Sequence, residues 1–367
     1  MSDISTQTQA LPISQRVPVQ KLHQSRINSI DFEKLKFGDV FADHMYEMRY
    51  EDGAWQAGRI MPYGPIQMMP SSNILHYGQG VFEGMKAFRY NDGNINIFRI
   101  KQHYERITNS CRRMNIPELP YEVFHDAVVQ LVDLDREWVP RAEYRSLYIR
   151  PFIFATEEFL GLKTSSKYRF YLITGPVGNY YAEGIKPVKL TTMPQYVRAV
   201  EGGVGDAKVP GNYAASLEPA HKAAEQGYSQ VLWLDAMERK YIEEVGAMNI
   251  FFVLDGKLVT SPLTGTILPG ITRKTVLELA KKWEMPVEER RVSIDELMQA
   301  SQKGTLSEAF GSGTAAVISP VGLIHHKGDR ITLNQDEMGP VAQKMYDAIT
   351  GIHHGKVEDP AGWCTII

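Results

Sequence analysis

Apolar and polar residues alternate on both sides of Asn91-Asp92-Gly93 in segment 85–99, MKAFRYNDGNINIFR, and again around Asp255-Gly256 in segment 249–260, NIFFVLDGKLVT. A two-residue period interrupted by Asp-Gly predicts a β-hairpin, because those residues adopt the positive φ angles that match the twist of the flanking strands. Strand-like runs also stand at 146–154 (SLYIRPFIF), 168–174 (YRFYLIT) and 230–234 (QVLWL). Helical spacing of apolar residues predicts helices near 101–114, 120–136, 214–226, 272–284 and 293–300. Ser293 and Glu296 have the spacing of a capping box at the start of the last. Helices and strands mingle in both halves, so the expected class is mixed α/β (α+β) with sheets dominating the core.

The chain has 367 residues, 43% of them hydrophobic, enough for two ordinary domains. Residues 177–187, between strand-like regions and rich in Gly, Pro and Tyr, are the best linker candidate. The expected organisation is a flexible segment over 1–30, a small N-terminal domain over 31–176, and a large C-terminal domain over 188–367. Forty basic against forty-three acidic residues give a net charge of −3, so no overall field attracts nucleic acid or an anionic membrane, and small molecules are the expected partners. Cys111 and Cys364 stand far apart, which excludes a disulfide framework and a thiolate zinc site and suits a cytoplasm. The first thirty residues, poor in acids, leave an organelle matrix as the alternative if they act as a transit peptide. The ten histidines show no H-E-x-x-H, and no metal is expected.

Chemistry concentrates at four places. Lys208 lies in GGVGDAKVPGNYAAS (202–216); a lysine attacks carbonyls only when neutral, and glycine backbone lets a planar group approach closely. Glu244, in EVGAMN, precedes an apolar strand. It either faces water at a strand end or sits beside a ring nitrogen and keeps it protonated. LPGITRKT (268–275) feeds a helix whose first N–H groups, at Ile271 and Thr272, suit a phosphate. FGSGTAAV (310–317) offers a further turn for a phosphate or carboxylate.

The run Glu244-x-Gly246-x-x-Asn249-Ile250-Phe251, Leu258-x-Thr260 and Leu268-x-Gly270-Ile271-x-Arg273 resembles the class IV pyridoxal-phosphate aminotransferases. LHYGQGVFEGMKAF (75–88), SLYIRP (146–151), GGVGDAKVPGNY (202–213), QVLWLD (230–235) and FGSGTA (310–315) resemble the branched-chain amino-acid aminotransferases in particular. The resemblance runs from about residue 30 to the C-terminus. It implies fold type IV, with a β-barrel-like core in the larger domain, and a homodimer whose sites borrow residues from the partner. The implied cofactor is pyridoxal 5′-phosphate. The implied reaction moves the amino group of L-leucine, L-isoleucine or L-valine to 2-oxoglutarate.

By the same resemblance Lys208 carries the cofactor and moves a proton between the substrate α-carbon and the cofactor C4′. Glu244 meets the ring nitrogen and Tyr213 the phenolic oxygen. Arg106, the N–H groups of Ile271 and Thr272, and Thr314 hold the phosphate. The substrate carboxylate meets Thr314 and Ala315 with help from Tyr77. Phe82, Tyr148, Tyr180 and Tyr213 line the side-chain pocket, with Leu160 and Leu162 reaching in from a second subunit, and Arg150 accepts glutamate's distal carboxylate. Read without the resemblance, the aromatic residues are core and the arginines pair with surface acids.

Two departures stand out. Ala316-Val317-Ile318-Ser319 replaces the C-x-x-C of mammalian members, so that thiol regulation is not expected, and Ala247 stands where some relatives have threonine. Rival readings are a D-amino-acid aminotransferase or aminodeoxychorismate lyase on the same fold, a nucleotide-dependent dehydrogenase, and a non-catalytic scaffold. The dehydrogenase lacks its G-x-G-x-x-G after a strand.

Overall fold

The computed structural model describes residues 16–178 and 185–367. The chain divides into two compact units, residues 1–180 with 351–367, and residues 181–350. Tyr180 and most of the expected linker lie outside the described residues.

The first unit is built on an antiparallel sheet. Its strands are β1 (His44–Glu51), β2 (Ala54–Trp55), β3 (Arg59–Pro62), β4 (Gly80–Phe82), β5 (Met85–Arg89), β6 (Ile95–Phe98), β7 (Ser146–Ala155) and β8 (Tyr168–Val177), with helices α1 (Asn73–Tyr77), α2 (Ile100–Arg113) and α3 (Tyr121–Leu134). The hairpin expected at Asn91-Asp92-Gly93 forms between β5 and β6, with Gly93 at φ 91°. β7 is the long spine, paired with β8 along its whole length and with β4 and β5 on its other edge.

The second unit holds strands β9 (Val188–Thr192), β10 (Gln230–Leu234), β11 (Ile242–Val245), β12 (Met248–Leu254), β13 (Lys257–Thr260), β14 (Val287–Glu289), β15 (Leu306–Gly313), β16 (Val317–His326) and β17 (Asp329–Thr332). Following the ladders β9–β10, β10–β11, β11–β12, β12–β15, β15–β16 and β16–β9 returns to the starting strand, so the sheet closes into a barrel. Closure buries β11 on both faces: every residue of Ile242–Val245 is buried. The second expected hairpin joins β12 to β13, with Asp255 at φ 48° and Gly256 at φ 75°.

Helices α4 (Pro210–Ala214), α5 (Leu217–Glu225), α6 (Ile271–Lys282) and α7 (Ile294–Gln302) belong to this unit. The helix expected over 214–226 starts later, at Leu217, as α5, and the short α4 precedes it. Ser216 explains the break: its hydroxyl donates to the Tyr213 carbonyl at 2.7 Å, competing with the helical ladder. Ser293 caps α7 as expected, its oxygen accepting the Glu296 N–H at 3.0 Å. The segment 310–317, expected as a turn, is strand as far as Gly313; only 314–316 turn. Helix α8 (Pro340–His353) follows, and β18 (Cys364–Ile366) then pairs with β6. Residues 351–367 thus join the first unit, whereas the sequence pattern places them with the C-terminal part.

Ile250, Phe252 and Leu254 of β12 pack with Ile294 and Leu297 of α7 in one core cluster, Phe252 being wholly buried. Phe252→Ala is expected to lower the unfolding free energy by about 3–5 kcal/mol. Urea titration of the two proteins measures it, and an unchanged midpoint would show that this packing does not hold the barrel.

Candidate active site

The C-terminal unit gathers Lys208, Tyr213 and Glu244. Lys208 is followed by extended Val209 and by Pro210 at the first position of α4, where a missing N–H costs nothing. One turn later Tyr213 faces back, and the Lys208 Nζ lies 2.6 Å from its hydroxyl. The glycine-rich approach to Lys208 is clamped. Asn212 donates to the carbonyls of Val204 and Ala207 at 2.8 and 3.0 Å. A Cβ on Gly205 would come within 2.5 Å of the Thr266 carbonyl, so only glycine permits that approach.

Glu244 is 3% exposed, which removes the reading of a strand-end carboxylate in water. It accepts the Leu268 N–H at 2.7 Å and pairs with Arg198 at 3.0 Å, both on Oε1. Burial pushes its pKa up to about 7, against the opposing pull of Arg198, the Leu268 N–H and, more weakly, Lys208. Arg198 also donates to the carbonyls of Gly205 (2.9 Å) and Thr266 (2.5 Å), so one guanidinium ties the lysine loop, the carboxylate and the segment leading to α6. Sequence reasoning missed Arg198. It stands in QYVRAV with no motif around it, and a lone cation among apolar residues was the only signal.

The entry to α6 is held against the same carboxylate. Asn249, cross-strand from Glu244, donates to the Leu268 carbonyl at 2.9 Å, and a Cβ on Gly270 would strike its Oδ1 at 1.9 Å. Gly270 caps α6 without a side-chain bond, and the first turn carries no acid, which suits an anion at Ile271 and Thr272. The turn at Thr314 and Ala315 connects β15 to β16, and just beyond it β-branched Val317 is held at φ 64°, a strained position for that residue.

In the first unit Arg106 of α2 is buried, not paired at the surface. Its Nε and Nη2 donate to the two oxygens of Glu83 at 2.6 and 2.8 Å, and His103 Nδ1 lies 2.8 Å from Glu83 Oε2. Arg106 and His103 hold the Glu83 carboxyl well below the usual range despite its burial. Glu83 is a second residue that sequence reasoning passed over. Phe82, Tyr148 and Arg150 do meet: the Arg150 guanidinium lies 4.9 Å from the Phe82 ring centre and donates to the Tyr148 hydroxyl at 3.0 Å. A Cβ on Gly84 would overlap that hydroxyl, which explains the glycine. The Tyr77 hydroxyl donates to the Leu160 carbonyl. Leu160 and Leu162 are 61% and 84% exposed. Among the described residues no group of His, Cys, Asp and Glu is placed to hold a metal, and no helix is long and apolar enough to cross a membrane.

Residues 80–324 match the family described as Amino-transferase class IV. The chain is 50% identical over 335 residues to branched-chain-amino-acid transaminase 1 of Bacillus subtilis, covering 91% of this chain and 94% of that one. It is 50% identical over 357 residues to a probable branched-chain-amino-acid aminotransferase of Staphylococcus aureus, covering 97% and 99%. Among solved structures it is similar to the T.th. branched-chain amino acid aminotransferase complexed with N-(5′-phosphopyridoxyl)-L-glutamate. That likeness has a TM-score of 0.69 and 29% identity, over 87% of this chain and 97% of that one.

A carboxyl whose folded pKa lies above its unfolded value of 4.5 binds its proton more tightly when folded, so its contribution to stability falls as pH rises from 4.5 through about 7. Cofactor-free protein is therefore expected to lose on the order of 3 kcal/mol of stability between pH 5 and pH 8 through Glu244. Denaturant titration at the two pH values should show this loss largely removed in Glu244→Gln; equal losses in both proteins would contradict the assignment.

Proposed function

The chain belongs to the class IV aminotransferases and is a branched-chain-amino-acid transaminase using pyridoxal 5′-phosphate, and from that premise we propose which residues carry the transfer and what accepts the amine. The observation that carries the assignment is the grouping of the Lys208 amine, the Tyr213 hydroxyl and the buried Glu244 carboxyl in one unit. These groups fit the cofactor. An amine beside a phenol can hold an aldehyde carbon, and a buried carboxyl of pKa about 7 can share a proton with a pyridine nitrogen. Uncapped N–H groups at a helix start can take a phosphate. When bound, the cofactor supplies an electron sink for the carbanion at the substrate α-carbon.

Lys208 would hold the cofactor and would serve as the base that moves the proton to and from the substrate α-carbon. Tyr213 steadies the Lys208 amine and would hold the cofactor's phenolic oxygen. Glu244 would hold the ring nitrogen, with Oε1 already taken by the Leu268 N–H and Arg198. Ile271, Thr272 and Thr314 would hold the phosphate, and Arg106, whose plane Glu83 fixes, would add its charge. Thr314 and Ala315, with Tyr77, orient the substrate carboxylate. Phe82 and Tyr148 shape an apolar pocket, and Arg150, beside both, draws in the distal carboxylate of glutamate. This makes 2-oxoglutarate the amine acceptor.

Exposed Leu160 and Leu162 support a homodimer in which they cover the partner's site. The free thiols of Cys111 and Cys364 support a reducing compartment, the cytoplasm.

Borohydride reduction of the yellow holoenzyme is expected to fix a pyridoxyl group on Lys208. L-leucine or L-valine with 2-oxoglutarate should yield glutamate, and Lys208→Ala should abolish it. An adduct on another lysine, or activity with D-alanine alone, would contradict the proposal.

A further inference from the structure

Exposed apolar side chains stand on two short pieces of the first unit, Leu75 and Tyr77 on α1 and Phe159, Leu160 and Leu162 on the loop 157–163 after β7. A helix of 5 residues is too short to hold itself, and apolar side chains that face outward do not anchor a loop. Both pieces therefore need support from beneath.

Asn73, the first residue of α1, supplies it. It is 1% exposed. Its backbone N–H donates to the Glu157 carbonyl at 3.1 Å and its Nδ2 to the Phe159 carbonyl at 3.0 Å, while the Phe159 N–H donates to the Ser71 carbonyl at 3.1 Å. One turn on, the Tyr77 hydroxyl reaches the next carbonyl, that of Leu160. The loop is also braced on itself. Lys163 Nζ pairs with Glu157 at 2.5 Å and lies 4.5 Å from the Phe159 ring centre, and a Cβ on Gly161 would strike that ring.

The Asn73 amide is costly to keep. Among the described residues its buried Oδ1 has no hydrogen-bond partner, a penalty that an apolar side chain would avoid. What the amide supplies in return is the Nδ2 bond, and that bond fixes the loop carrying Leu160 and Leu162.

We propose that Asn73 is a positioning residue for substrate selection, holding the 157–163 loop so that Leu160 and Leu162 stand against the end of a branched side chain. This rests on the reading above that these leucines cover a partner's site. If the loop shifts, the end of a leucine side chain loses its contact, whereas a two-carbon side chain is too short to feel the change. A lost contact of that size is worth about tenfold or more.

The ratio of kcat/KM for L-leucine to that for L-2-aminobutyrate, with 2-oxoglutarate as acceptor, tests the proposal. Asn73→Ala should lower this ratio about tenfold, chiefly through the KM for leucine. Amide hydrogen exchange should quicken in segment 157–163 and not in β7. Partial unfolding would reduce both substrates alike and leave the ratio unmoved. Lys163→Met, at a surface position that folding tolerates, should lower the ratio about threefold. In the variant Leu160→Ala/Leu162→Ala, adding Asn73→Ala should lower it no further, because Asn73 acts through those leucines. If Leu160→Ala/Leu162→Ala keeps the wild-type ratio, the partner-site reading fails and this proposal with it. If that variant lowers the ratio but Asn73→Ala, or Lys163→Met where Asn73→Ala does not fold, leaves it unchanged, the role of Asn73 alone is overturned.

Discussion

A carboxyl group buried in a closed barrel is expensive to ionise, and the placement of Glu244 is the constraint around which the C-terminal unit is arranged. Burial alone would keep it neutral; Arg198 and the Leu268 N–H bring its pKa back to about 7. That balance leaves the group able to hold or share a proton near neutrality, which is what a ring nitrogen acting in an electron sink requires. The same arginine fixes the loop before Lys208 through the Gly205 carbonyl and the approach to α6 through Thr266. One guanidinium thus sets both the charge state of the acid and the position of the amine. Arg106 follows a related logic in the other unit, where Glu83 and His103 fix its plane.

Barrel closure is what makes such burial possible. β11 and β12 pair Glu244 with Asn249, and both side chains then grip the two ends of the Leu268 residue, one its N–H and the other its carbonyl. The start of α6 is thereby placed relative to the carboxylate by short contacts, with Gly270 admitting Asn249 where any side chain would collide. The spacing Glu244, Asn249, Leu268 and Gly270, which looks arbitrary along the chain, is the footprint of this clamp.

Much of this was legible in the sequence, and the failures have physical causes. Hairpins at Asn91-Asp92-Gly93 and Asp255-Gly256 were readable because local turn chemistry decides them. β16 was not, since Val317–Gly322 are all buried and lose the alternation that marks a half-exposed strand. β15 ends in Gly311-Ser312-Gly313 and read as a turn; Met248 packs against both glycines, a contact no local pattern reveals. Motif alone named Lys208, Tyr213 and Glu244 as candidates, and the structure places the Lys208 amine against the Tyr213 hydroxyl. Arg198 and Glu83 were overlooked because each acts through a partner distant in sequence. The clue was a lone charge in an apolar stretch, which must find a buried counterion.

Glu244 is proposed to keep the cofactor ring nitrogen protonated. The most direct measurement is the nitrogen NMR signal of holoenzyme loaded with cofactor labelled with nitrogen-15 in the ring. A protonated nitrogen is expected at neutral pH in the wild type, and an unprotonated one in Glu244→Gln. An unprotonated nitrogen in the wild type, or a protonated one that survives the substitution, would contradict it.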